Sequence, residues 1–295
     1  MDLWNLTLIE AVSKLKRGEI RAAEYIEALL QRCGRHRELN AFIYQDFETI
    51  REAARHADEI LDSGIALGPL HGAPIILKDN IDTATMPTTG GTPALKDHRP
   101  SRNAPIAQAL INAGAIIFGK ANLHELAQGI TNNNRTFGPA RNPYDPDRIP
   151  GGSSGGCGVA VGARLAPAAI GTDTGGLVRI PAALCGIIGF RPTIGRYPQG
   201  GIIPISHTRD TAGPMTRSVA DVVLIDKVIT GSMEEILPAR LRGLRLGVPR
   251  AYFYENTDPA VADVMESALT RLSVFIGSPL ENDVCRGANY IACCP

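Results

Sequence analysis

The sequence has no charge excess of either sign: 30 Lys+Arg balance 30 Asp+Glu over 295 residues, for a formal net charge of zero. General nucleic-acid binders and membrane-surface proteins need a basic excess, so both classes are excluded. A secretory h-region is missing, because Lys14, Lys16 and Arg17 break up residues 1–21. A bilayer-spanning run is missing too. The uncharged stretch Ile180–Phe190 falls far below the roughly 18–20 residues needed. Six cysteines are present (Cys33, Cys157, Cys185, Cys285, Cys293 and Cys294), but none forms a C-x-x-C pair and no histidine pair has zinc-ligand spacing. Free thiols are therefore predicted, with no metal site and no disulfide framework. No internal repeat and no clear linker interrupt the chain. These absences predict a soluble, cytoplasmic protein without nucleic acid or membrane as partner.

What is present is the composition of a globular protein. Hydrophobic residues make up 44% and charged residues 20%, which excludes a disordered tail, a collagen-like fibre and a low-complexity scaffold. The length fits one large domain or two ordinary ones. Glycine is abundant and clustered: 14 of the 31 lie between Gly151 and Gly201. The backbone there must adopt conformations or approaches that a side chain would forbid.

Thr7-Leu-Ile-Glu10 reads as a capping box that opens a helix ending at Gly18. Ala22–Cys33 and Glu48–Leu61 carry helical periodicity, so residues 1–64 are expected to cover the domain as peripheral helices. From about Pro69 the pattern changes. Ala73–Leu77 suits a buried strand followed directly by Lys78-Asp79-Asn80, Pro105–Asn112 is helical, Ala115–Phe118 is strand-like, and Leu123–Ala127 suggests a short helix. Such alternation predicts an α/β layered fold on a largely parallel sheet. Leu244–Val248 reads as a further strand, and Thr257-Asp258-Pro259 caps another helix. Ser273–Pro295 then has little periodicity and two adjacent cysteines, the pattern of a truncated or frame-shifted end.

The strongest chemical signal is a pair of glycine-rich loops, Gly151-Gly-Ser-Ser-Gly-Gly156 and Gly171-Thr-Asp-Thr-Gly-Gly-Leu-Val-Arg-Ile-Pro181. Two such loops can turn backbone N–H groups inward around a reacting carbonyl. A phosphate-binding P-loop needs G-x-x-x-x-G-K-[ST], and no lysine follows either loop. Close packing alone would explain one glycine loop, but two together point to a site.

These segments resemble the two halves of the amidase signature, the mark of a family of Ser–Ser–Lys amide hydrolases. The likeness continues through Leu184-Cys-Gly-Ile-Ile-Gly-Phe-Arg-Pro-Thr193, Asp210-Thr-Ala-Gly-Pro214 and, upstream, Gly72-Ala-Pro-Ile-Ile-Leu-Lys-Asp-Asn80. It covers about residues 1–272, read as an incomplete amidase-signature domain with 273–295 as an atypical tail. The fold it implies is a large, twisted, mostly parallel mixed sheet covered by helices, with its C-terminal part missing. Leu70-His-Gly72, Met86-Pro-Thr-Thr89 and Arg196–Gly201 look most like the indoleacetamide and mandelamide hydrolases of bacteria.

The resemblance implies a role for each matching residue. Lys78 falls on the base and Ser153 on the bridging serine, joined to Gly152 by a cis peptide. Thr174, Gly175 and Gly176, together with residue 177, supply the backbone N–H groups of the oxyanion hole. Ser154, Asp173 and Arg179 support the loop. Cys157 is expected to be a packing residue, and His71, His124 and His207 are not needed. The chemistry is sound on its own terms. A lysine acts as a base when burial disfavours its ammonium, and a hydroxyl beside it can pass the proton on.

One position departs from the pattern. Leu177 stands where the family carries its nucleophilic serine. Leucine has no group that can attack a carbonyl, and loss of a triad nucleophile costs on the order of 10⁶ in kcat. The family chemistry would turn a primary amide, an arylacetamide such as indole-3-acetamide, into a carboxylate and ammonia, with no cofactor and no metal. The partner would be that small-molecule amide, with homodimer as the assembly. With Leu177 the chain is expected to have little or no activity. The alternatives are an inactive pseudoenzyme, a non-functional truncated product, and an amidotransferase subunit acting on transfer RNA, which the neutral charge disfavours.

Overall fold

The computed structural model describes residues 2–238, 240–244, 246–277 and 281–282. Residues 1–233 and 234–295 form two compact units.

In the first unit, α1 (Leu8–Lys16) starts at the expected capping box: Thr7 Oγ1 accepts the Glu10 N–H, and the Glu10 carboxylate takes the Thr7 N–H at 2.8 Å. Gly18 follows with φ +66°. The second and third helices, α2 (Ala22–Arg35) and α3 (Phe47–Asp62), flank the short strand β1 (Phe42–Tyr44). Then come β2 (Pro74–Lys78), α4 (Pro105–Asn112), β3 (Ile116–Ala121), α5 (Gly155–Gly162), β4 (Ala168–Asp173), α6 (Arg179–Leu184), β5 (Ile188–Gly189), β6 (Thr211–Thr216) and α7 (Val219–Thr230). The predicted helix at Leu123–Ala127 is a single 3₁₀ turn over Glu125–Ala127, in which Leu126 has φ 51°.

The strands form one six-stranded sheet in the order β1-β3-β2-β4-β6-β5. β2 pairs in parallel with β3 and β4, whereas β1–β3, β4–β6 and β5–β6 are antiparallel. The sheet is mixed, as expected, with the parallel pairing at its centre. β6 follows β5 with no helix between them, and a strand that returns without a helical crossover pairs antiparallel.

Strand alternation assigns the two faces. Ile76 and Ala169 belong to an apolar cluster with Tyr25, Ile26 and Leu29 of α2, Ile50 and Ala54 of α3, and Val159 and Ala160 of α5. Ile75, Leu77, Ala168 and Ile170 point the other way, to Leu8 of α1, Ile106 and Leu110 of α4, and Ile225 of α7. Burying the β2 side chains Ile75, Ile76 and Leu77 completely stabilises the fold by about 1.5–3 kcal/mol each. By the same period of two, Lys78 falls on the Ile76 face, toward α5.

The second unit holds β7 (Gly247–Val248), α8 (Arg250–Phe253), α9 (Pro259–Ile276) and β8 (Glu281–Asn282), with β7 and β8 in parallel. The strand read at Leu244–Val248 is thus shorter than expected. Asp258 caps α9 by accepting the Ala260 N–H at 2.9 Å, and the helix continues beyond residue 272 to Ile276. The cysteines Cys285, Cys293 and Cys294 lie outside the described residues. Among the described residues, no helix is long and apolar enough to cross a membrane.

Candidate active site

Lys78, at the C-terminal end of β2, has no exposed surface. Its Nζ lies 2.7 Å from Ser153 Oγ and 2.8 Å from Thr172 Oγ1. Burial pushes the Lys78 ammonium down to about 7, against the opposing pull of Cys157, Asp173 and Asp210. The amine can therefore lose its proton near neutral pH, and when neutral it can take a proton from the Ser153 hydroxyl beside it. Ser153 follows a cis peptide from Gly152, just ahead of α5. It reaches Lys78 because the close approach of α5 to the sheet brings the two together. At Gly156 a Cβ would stand 2.5 Å from Ala41 O and from both Asn122 N and O.

The second glycine loop leaves the end of β4 and is organised by Asp173. Its buried carboxylate accepts Gly176 N–H at 2.7 Å, Val178 N–H at 3.2 Å, and Arg179 Nε and Nη2 at 3.0 and 3.1 Å. Arg191 Nε adds a contact at 3.2 Å. Burial alone would raise this carboxyl, but Arg179 and the Gly176 and Val178 amides outweigh it and hold it below the usual range. Asp173 and Arg179 thus fix the loop, with Arg191 as a second cation that the sequence reading did not name. Its signal was already present in the quoted Phe190-Arg-Pro segment.

The two loops meet where Ser154 donates its N–H to Leu177 O at 3.3 Å. Ser154 Oγ donates to Thr172 O at 3.2 Å, a bond within the loop pair. Thr174 Oγ1 donates to Asp210 Oδ1 at 2.5 Å, and Asp210 Oδ2 accepts the Ile205 and Ser206 amides at 2.7 and 2.8 Å. This ties the glycine loop to residues 205–210. Gly175 is exposed with open space beside it, so a ligand can approach the backbone there.

Gly176 has φ +110°, and its N–H donates to Asp173 Oδ1 within the loop. Leu177 is buried at the head of α6, 7% exposed, and offers carbon alone.

Sequence reasoning missed Thr172 and Asn80. Asn80 Nδ2 donates to Thr172 Oγ1 at 3.2 Å, so Thr172 is held from two sides. Its side chain gave no pattern beyond its place between Gly171 and Asp173. Cys157 is a packing residue as expected: it is buried, its Sγ faces Ile170 O at 3.7 Å, and burial pushes its thiol up to about 12. His124 gives its backbone N–H to Ser153 O at 3.1 Å. Burial holds its imidazole below the usual range.

Comparison with known proteins agrees with this architecture. The chain is 45% identical over 267 residues to the indoleacetamide hydrolase of Rhizobium radiobacter, covering 90% of this chain and 56% of that protein. It is 46% identical over 275 residues to the mandelamide hydrolase of Pseudomonas putida, covering 92% and 54%. A crystal structure of an amidase superposes with a TM-score of 0.88 at 37% identity, over 94% of this chain and 63% of that one. The chain spans about half the length of the curated relatives it matches. Residues 24–275 match the family Amidase, and the chain belongs to that family.

Proposed function

We propose that this chain carries the site of a primary-amide hydrolase of the Ser–Ser–Lys type, with an arylacetamide such as indole-3-acetamide as substrate, and that Leu177 leaves its turnover severely impaired. The observation that carries the reading is the contact of 2.7 Å between a fully buried Lys78 Nζ and Ser153 Oγ. A neutral lysine beside a hydroxyl is a base with a relay, and it needs only an attacking group at the far side of the relay.

With a serine in place of Leu177, neutral Lys78 would take a proton from Ser153 as Ser153 takes one from the new hydroxyl. The oxygen so freed would then attack the amide carbon. The N–H groups of Thr174, Gly175 and residue 177 would hold the developing oxyanion. The proton on Lys78 would return through Ser153 to the leaving nitrogen, and ammonia would depart. Water attacking the ester by the same relay would release the acid. In the chain as it stands the first bond cannot form, because Leu177 has no nucleophilic atom. The likeness to indoleacetamide and mandelamide hydrolases supports the choice of an aryl acyl group.

The test is ammonia release from indole-3-acetamide by the purified chain and by Leu177→Ser. The parent is expected to give a background rate, and the variant a rate above it that is lost again on adding Lys78→Met. Turnover at an ordinary enzymatic rate by the parent, abolished by Lys78→Ala, would refute the impairment. A folded Leu177→Ser with no gain would refute the amidase reading.

A further inference from the structure

Of the six lysines in the sequence, Lys78 and Lys120 are fully buried, and the amide chemistry gives Lys120 no part. Its position comes from an irregularity in the sheet. β2 pairs Ile75 with Ile117 but Ile76 with Gly119, so one extra residue bulges out of β3 near Phe118. Phe118 and Ala121 pack in the cluster that contains Ile76. Lys120, opposite Leu77, is therefore turned to the other face of the sheet. Without the bulge, the period of two would place both buried lysines on one side.

On that other face Lys120 is surrounded by the turn that follows Lys78. Its Nζ donates to Ile81 O at 2.5 Å and to Thr88 Oγ1 at 2.8 Å, and lies 3.5 Å from Asp79 Oδ1. Ile81 O and Thr88 Oγ1 accept two of the three donors of the ammonium, and Asp79 Oδ1 stands at ion-pair distance with no hydrogen bond of its own. Asp79 is completed by Thr89, whose N–H reaches Oδ2 at 3.1 Å and whose hydroxyl donates to the same oxygen. Gly90 N–H closes the turn on Asp79 O at 2.9 Å. Within this turn, Asn80 reaches Thr172, the hydroxyl to which Lys78 also donates. Lys120 faces Asp79 and Asp82, and Lys78 faces Cys157, Asp173 and Asp210.

We propose that Lys120, as an ammonium paired with Asp79, is a positioning residue for Lys78: it holds the turn from Asp79 to Thr89 shut, so that Asn80 stays on Thr172 and Lys78 Nζ stays dry and aimed at Ser153. The inference rests on Lys78 being the base. Removing Lys120 leaves the buried Asp79 carboxylate without its cation. The turn opens to hydrate that carboxylate, water reaches Lys78, and the ammonium form of Lys78 regains its solvation.

The experiment needs no turnover, so it is independent of Leu177. The full chain is labelled with [¹³Cε]lysine, its six lysine signals are titrated by NMR, and the Lys78 signal is assigned as the one missing from Lys78→Met. In the parent, Lys78 is expected to titrate at about 7. In Lys120→Met its midpoint should rise by a factor of about ten in proton affinity or more, and Lys120→Arg, which keeps the cation, should recover part of the change. Should Lys120→Met not fold by circular dichroism, Asp79→Asn removes the other half of the pair and is expected to move Lys78 the same way. An unchanged Lys78 midpoint in a folded variant overturns the inference. A parent Lys78 that titrates in the ordinary ammonium range overturns the base reading instead.

Discussion

Asp173→Asn removes one negative charge, changes the side-chain volume little, and should destabilise the first unit strongly. The carboxylate is fully buried and gathers two backbone amides, both ends of the Arg179 guanidinium and Arg191. An amide N–H bond to a charged acceptor contributes about 1.5–3 kcal/mol. Asparagine keeps one oxygen, so one of the two amides retains a partner while the other meets an NH₂ group. The Arg179 side chain is 53% exposed, so its share is screened and contributes at most about 1 kcal/mol. Arg191 is 20% exposed, and its loss of a partner adds about 1–2 kcal/mol. The sum is about 3–5 kcal/mol, the range found when one partner of a buried pair is removed. For a unit of this size it lowers Tm by roughly 10 °C. Thermal unfolding followed by circular dichroism measures it. The sign of the pH dependence follows from the depressed Asp173 carboxyl. Its stabilisation is full above the ordinary carboxylate pKa and is lost as pH falls through the folded value, so parent and variant should converge in acid. A folded variant that loses less than about 1 kcal/mol at neutral pH would refute the view that Asp173 organises the loop.

Three further outcomes are expected. In Leu177→Ser, ammonia release should gain at least about a hundredfold over the parent, a small part of the roughly 10⁶ a nucleophile contributes; a rate measured against pH should rise through about 7 as Lys78 loses its proton. Lys78→Met should stabilise the fold, because the unfolded chain binds a proton that the buried amine releases. Between the folded value of about 7 and the ordinary lysine value of 10.5 the parent gains stability with rising pH. The advantage of methionine in urea unfolding should therefore be full below about 7 and vanish toward 10.5. Gly156→Ala should cost about 3 kcal/mol by denaturant unfolding, since its Cβ would sit 2.5 Å from backbone atoms of Ala41 and Asn122 that cannot yield.

The helices and the strand that ends at Lys78 were legible because each rests on local signals. Thr7 and Glu10 cap α1 whatever lies beyond it, and the apolar run before Lys78 buries itself on both faces of the sheet. The glycine loops were legible as a pair because their composition is unusual. The predominance of parallel pairing was overestimated: alternation of helix and strand says little about the antiparallel return of β6 along β4. The short helix expected near Leu123 was misjudged because Leu126 adopts φ 51°, a conformation that propensity disfavours.

The sequence by itself determined the residue types of the site: a lysine at the end of a buried strand, two glycine-rich loops with Ser153 and Asp173, and a leucine at 177, where the proposed chemistry calls for an attacking group. Those identities no folding can alter. Tertiary structure alone decided which of them touch. Thr172 became the second partner of Lys78, and the Gly176 amide was turned to Asp173. The bulge in β3 sent Lys120 to the face opposite Lys78. Each depends on the register between segments distant in sequence, and a shift of one residue in a strand reverses every side chain beyond it.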